Sequence, residues 1–106
     1  RSILEAAGYR VETARDGRDA LDRLNRDPGI ALVVTDIEMP EMDGIELTEA
    51  IRADPQRSSL PVVIVTTRGS DEDRQRGLEA GADAYMAKRS FDQRALLETV
   101  EQLVGR

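Results

Sequence analysis

Three short apolar runs, each closed by one polar residue, limit what this chain can fold into more than any other feature. Residues 30–35 read Ile-Ala-Leu-Val-Val-Thr and stop at Asp36; residues 60–66 read Leu-Pro-Val-Val-Ile-Val-Thr and end in the hydroxyl of Thr66; residues 84–87 give way to Lys88. Apolar, β-branched runs this short, bounded by Gly, Pro and polar clusters, read as buried strands. The segments between them carry helix starts and stops, and the one over 43–54 sets Leu47 and Ile51 four positions apart, as a helix packed on one side does. Strands alternating with helices imply crossover connections and a parallel sheet covered on both faces, so the expected class is α/β and doubly wound. Such a sheet opens its ligand crevice at the carboxyl ends of its strands. Asp36, Thr66 and Lys88 are therefore expected at one rim.

The remaining elements have legible starts and stops. Residues 2–7 carry Ile3, Leu4 and Ala7 on one helical face, with Gly8 as a C-cap, and residues 9–14 alternate Tyr9, Val11 and Thr13 with charged residues like a half-buried strand. Asp16 opens a helix to about residue 27, apolar at Ala20, Leu21 and Leu24, which Pro28-Gly29 ends. Asp43 and Glu46 have capping-box spacing for a helix carrying Ile45, Leu47 and Ile51, stopped by Asp54-Pro55. Ser70, with Asp73 three residues on, opens a very polar helix that closes at Gly81. Only Leu78, Ala80 and Ala82 offer it an apolar stripe, so loose packing is expected. Ser90 and Gln93 cap a last helix whose Leu96, Leu97, Val100, Leu103 and Val104 share a face.

Composition removes whole classes of chemistry. The 106 residues are one domain's worth of chain, and no apolar run approaches the roughly 18 residues of a membrane span. A net charge of −6 argues against a nucleic-acid face. With neither cysteine nor histidine there is no disulfide, thiol nucleophile, His-based metal site or Ser-His-Asp triad. No signal-peptide pattern opens the sequence, and a cytoplasmic setting is expected.

A carboxylate, a hydroxyl and an ammonium at one rim suit the handling of a phosphoryl group. The carboxylate of Asp36 can attack phosphorus and form an acyl phosphate. Thr66 can donate to a phosphoryl oxygen, and Lys88 offers a compact positive charge to the new dianion. At 4 Å and an effective dielectric near 20, one such charge contact is of order 4 kcal/mol before desolvation is subtracted. The attack needs no general base, which agrees with the lack of histidine.

The run Val-Val-Thr-Asp-Ile-Glu-Met-Pro-Glu-Met-Asp-Gly at 33–44, then Thr66, then Ala-Gly-Ala-Asp-Ala-Tyr-Met-Ala-Lys at 80–88, resembles the receiver domains of two-component response regulators over essentially the whole chain. The resemblance implies a flavodoxin-like fold with strand order 2-1-3-4-5, whose first strand and acidic pair are absent from this sequence. It also implies that Asp36 is the phosphoacceptor, Thr66 the switch hydroxyl, Tyr85 the switch aromatic and Lys88 the phosphate-contacting lysine. Mg²⁺ would be held by Asp36 and the backbone carbonyl of Glu38 together with acids not in this sequence, so weak binding by this segment alone is expected. The implied partners are a histidine kinase donating from a phosphohistidine and an output protein or domain docking on the 71–92 face, with a dimer compatible. The segment following Lys88 is similar to receivers of chemotaxis-type hybrid histidine kinases.

Arg89 stands where many receivers carry proline, which puts a cis peptide after Lys88 in doubt, since a non-proline cis bond costs about 3 kcal/mol. Glu38 and Arg68, two residues beyond Asp36 and Thr66, flank the expected pocket and are candidates for tuning water access to the acyl phosphate. Two other functions stay open. A phosphorylation-independent pseudo-receiver would keep the fold as an interaction module. A phosphoaspartyl phosphatase would also place an Asp after an apolar strand, but it generally has a second Asp where this chain has Glu38.

Overall fold

The computed structural model describes residues 3–9, 16–27, 29–37, 42–66, 71–87 and 93–104. Their order is α1 (Ile3–Ala6), α2 (Gly17–Arg26), β1 (Val33–Thr35), α3 (Gly44–Ala53), β2 (Val62–Thr66), α4 (Asp71–Ala80), β3 (Ala84–Ala87) and α5 (Gln93–Val104). The three strands form one parallel sheet in the order β1-β2-β3. The strand expected over 9–14 lies outside the described residues except for Tyr9.

Alternation along β2 sends its side chains to two separate cores. Val62 and Ile64 pack with Leu24 of α2 and Ile45, Leu47 and Ile51 of α3, with Tyr85 and Ala80 against them. Val63 and Val65 pack with Leu96 and Val100 of α5, bordered by Leu4, Tyr9 and Met86. Helices thus cover both faces, and every residue of β2 is buried, as expected of a central strand in a parallel sheet.

Local chemistry sets the helix ends. Asp16 caps α2 by accepting from Asp19 N at 2.8 Å. At α3 the full capping box forms, with Asp43 Oδ1 accepting from Glu46 N at 2.8 Å and Glu46 Oε1 accepting from Asp43 N at 3.0 Å. After α1, Gly8 takes φ +98°, a left-handed conformation that glycine adopts without a Cβ penalty, and Tyr9 N donates back to Leu4 O.

Several expectations need correction. The first and second strands start later than residues 30 and 60, because Pro61 has no N–H to extend the ladder; its carbonyl accepts from Val33 N, and regular pairing begins there. The polar helix α4 does not use the expected stripe: Leu78 is 42% exposed, and Ala82 is buried beyond the helix end. Its buried positions are Asp73 and Gly77. A Cβ on Gly77 would lie 3.0 Å from Ile64 Cδ1 and 3.3 Å from the Tyr85 ring, so α4 approaches the sheet by its backbone rather than by large side chains. In α5, Val104 faces solvent at 37% exposure, leaving Leu96 and Val100 as the buried pair. The caps expected from Ser70 and Ser90 lie outside the described residues.

Candidate functional site

The sheet register decides which strand ends meet. Thr35 pairs with Ile64, so Asp36, the next residue, stands level with Val65. Thr66 follows Val65 and is itself paired with Ala87. Asp36, Thr66 and Ala87 therefore end three adjacent strands at one rim, with neighbouring strands about 4.8 Å apart. Lys88 is bonded to Ala87; Lys88, Glu38, Arg68 and Arg89 lie outside the described residues.

Asp36 is partly exposed, whereas the neighbouring Thr35 is buried and donates from Oγ1 to the Asp36 carbonyl at 2.9 Å. Ile37, 1% exposed, plugs the core beneath, and its carbonyl accepts from Gly44 N at 2.9 Å. The loop thus folds back on the amino end of α3, whose Gly44 lies so close that any Cβ would overlap the Asp36 carbonyl oxygen. Thr66 is fully buried rather than open on the crevice. Tyr85 is partly buried against Gly77 and the α2/α3 core, so its ring fills space in this conformation.

A metal at this rim has a small donor set. Among the described residues no three His, Cys, Asp or Glu side chains cluster in a way that could hold an ion. Among the described residues Asp36 offers a carboxylate at this rim, which fits a Mg²⁺ site in the manner usual for that ion, with one or two carboxylates and the remaining positions filled by water or phosphate oxygens.

The opposite rim carries the ionic structure that sequence patterns did not reveal. Arg52, at the end of α3, donates from Nε to Gly81 O at 3.0 Å, from Nη1 to Leu60 O at 2.6 Å and from Nη2 to Asp83 Oδ2 at 2.9 Å. Asp83 also accepts from Val62 N at 2.9 Å. A hollow of about 480 Å³ lies here, lined by Arg52, Asp83, Ser58 and Leu103 among others, at the amino ends of the strands and away from Asp36. The same surface includes Asp54, whose carboxyl is held below its usual value of 3.8, first by the hydrogen bond from Gln56 N and then by that from Arg57.

Three parallel strands alternating with helices that cover both faces, with a carboxylate at the carboxyl rim, are the architecture of a flavodoxin-like α/β domain. The family described as response regulator receiver domain matches residues 1–101, and the chain belongs to that family. In sequence it is 40% identical over 106 residues to the transcriptional regulatory protein CpxR of Escherichia coli K12, covering 100% of this chain and 43% of the relative. It is 34% identical over 102 residues to a gliding motility regulatory protein of Myxococcus xanthus, covering 96% of this chain and 13% of the relative. The chain thus spans less than half the length of these curated relatives. In structure it resembles the receiver domain of a histidine kinase from Syntrophus aciditrophicus, with TM-score 0.88, 34% identity, and 97% and 76% of the two chains covered. It also resembles the receiver of a sensor histidine kinase from Pseudomonas aeruginosa with a magnesium ion in its active-site cleft, with TM-score 0.85, 29% identity, and 97% and 83% covered.

Proposed function

We propose that this chain is a phosphoacceptor receiver domain that takes a phosphoryl group from a phosphohistidine kinase onto Asp36 and switches an interaction surface. The observation that carries this is the register, which ends three adjacent strands together at Asp36, Thr66 and Ala87. A carboxylate oxygen of Asp36 attacks phosphorus and the new O–P bond forms. The P–N bond breaks with its electron pair retained by the imidazole nitrogen of the donor. Lys88, one residue past β3, supplies positive charge to the acyl phosphate, and the Thr66 hydroxyl donates to a phosphoryl oxygen.

The buried state of Thr66 supports a switch rather than a fixed site. A hydroxyl packed inside has to come out to reach a phosphoryl oxygen, and the chain after it leads into α4. That helix rests on the sheet through Gly77 and carries few large buried side chains, as expected of an element of low local stability. Movement there would alter the space around Tyr85, so the output surface is the 71–92 face. The ligand can shift this equilibrium only by its difference in interaction energy between the two states.

Mg²⁺ would rest on Asp36, the Glu38 carbonyl, water and acids outside these 106 residues; when bound, it screens charge between the carboxylate and the incoming phosphoryl oxygens. On this reading the three described strands, in the order β1-β2-β3, would be the last three of the order 2-1-3-4-5. A cytoplasmic setting belongs to the same proposal. Among the described residues no helix is long and apolar enough to cross a membrane.

The test is phosphotransfer from a phosphorylated histidine kinase to the full natural chain, compared with Asp36→Asn. Transfer of one phosphoryl group, labile to alkali and hydroxylamine as an acyl phosphate is, to the wild type, and none to the variant, is the expected result. Equal labelling of both would place the acceptor elsewhere than Asp36, and none of either with Mg²⁺ present would favour a pseudo-receiver. Sustained hydrolysis of small phosphomonoesters would favour a phosphatase.

A further inference from the structure

We infer, resting on the phosphoacceptor role proposed for Asp36, that Gly17 is a positioning residue for that carboxylate, although it belongs to a different helix. Gly17 is the first residue of α2, directly after the Asp16 cap, and it is buried. Its N–H donates to the carbonyl of Met42 at 3.2 Å. A Cβ at this position would overlap the Met42 carbonyl oxygen and lie 2.8 Å from Met42 Cβ, where ordinary contact begins at 3.4 Å. Met42 itself packs partly buried against the α2/α3 core, so it has little room to retreat.

What Met42 touches next makes the contact functional. Two residues on, Gly44 sits against the Asp36 carbonyl with no space for a side chain, while its N–H holds the Ile37 carbonyl. The loop that begins at Asp36 is therefore clamped at its far end between two helix starts, each an Asp cap followed by a glycine. The same Asp36 carbonyl accepts from the Thr35 hydroxyl. Any group added at Gly17 must displace Met42 by several tenths of an ångström, and the Gly44 contact passes that displacement to the backbone bearing the nucleophile. Misplacement on the scale of 1 Å by a change far from the chemistry can cost about a hundredfold in rate.

The test compares initial rates of phosphoryl uptake from acetyl phosphate and Mg²⁺ by the full natural chain as wild type, Gly17→Ala, Val100→Ala and Asp36→Asn. Val100 belongs to the core on the α5 face and serves as a control for lost stability without contact with the acceptor loop. Both variants are assayed at a temperature where circular dichroism shows them folded. Uptake by Gly17→Ala is expected to fall by roughly ten- to a hundredfold, with Val100→Ala close to wild type. Equal rates for Gly17→Ala and wild type, or equal slowing of Gly17→Ala and Val100→Ala, would overturn the positioning role. Wild-type uptake abolished by Asp36→Asn confirms the reading on which the inference rests, so the Gly17 comparison then fails or succeeds alone; absence of wild-type uptake overturns both.

Should Gly17→Ala not fold, Asp16→Ala is used in its place. Removing the cap loosens the turn that presents Gly17 to Met42. The expected result is slower uptake with displaced Asp36 and Ile37 amide resonances; wild-type rate and resonances would overturn the role.

Discussion

Arg52 ties three segments together at the rim remote from Asp36, and Arg52→Ala tests how much of the fold depends on that tie. The substitution removes donors to the Gly81 and Leu60 carbonyls and to the Asp83 carboxylate. The Arg52 and Asp83 side chains are 22% and 27% exposed, so water replaces part of what is lost and the ion pair is partly screened. We assign about 1 kcal/mol to each carbonyl bond and about 0.5 kcal/mol to the screened pair, roughly 2.5 kcal/mol together. For a domain of this size that corresponds to a fall in Tm of about 10 °C. Urea denaturation followed by circular dichroism gives the free energy, and a cycle with Asp83→Ala gives the pair coupling. Asp83→Ala itself also releases the Val62 N–H, so its cost should exceed that coupling. A total loss below about 0.5 kcal/mol would show that water substitutes fully for Arg52 and that these bonds do not hold the rim. Phosphoryl uptake should be unchanged in the variant, because none of these contacts reaches the carboxyl rim.

Other expectations follow from packing and titration. Ile51 is fully buried, so Ile51→Ala should cost about 2–5 kcal/mol by chemical denaturation; a loss within the range of surface substitutions would contradict the described core. Gly77→Ala sets a helix-propensity gain of about 1 kcal/mol against crowding of Ile64 and Tyr85 costing about 1–3 kcal/mol. The net should be destabilising, with a change in the near-ultraviolet tyrosine signal, and a gain of the full propensity term would show that the contact is not tight. The Asp54 carboxyl has its folded pKa below the ordinary 3.8, so its stabilising contribution is complete above the unfolded value and is lost as pH falls through the folded one. The Tm difference between wild type and Asp54→Asn should therefore be larger at neutral pH than near pH 3. A difference independent of pH would remove that assignment.

Much of this was legible because the sequence punctuates its strands. Asp36 and Thr66 could be placed at one rim from the pattern of apolar runs alone, since parallel strands ending in polar residues leave few other arrangements, and the register agrees. The capping box of Asp43 and Glu46 was equally local, and it forms. Arg52 was not legible, because its partners lie 8, 29 and 31 residues away and no periodicity marks them. The packing of α4 was misread for a related reason: a search for an apolar stripe counts side chains, whereas Gly77 contributes by having none. Two Asp-Gly pairs, at 16–17 and 43–44, were the available signal for the close contacts of Gly17 with Met42 and of Gly44 with Asp36. Their significance depends on a contact between helices that one sequence does not display.

Convergence at the carboxyl rim is tested most directly by titrating the full natural chain with beryllofluoride and Mg²⁺ while recording backbone amide resonances. The largest shifts are expected at Asp36, Thr66 and the Ala87-Lys88 junction, extending into α4, with Arg52 and Asp83 quiet. Shifts centred on Arg52 and Asp83, or none at Asp36 under saturating conditions, would contradict that convergence.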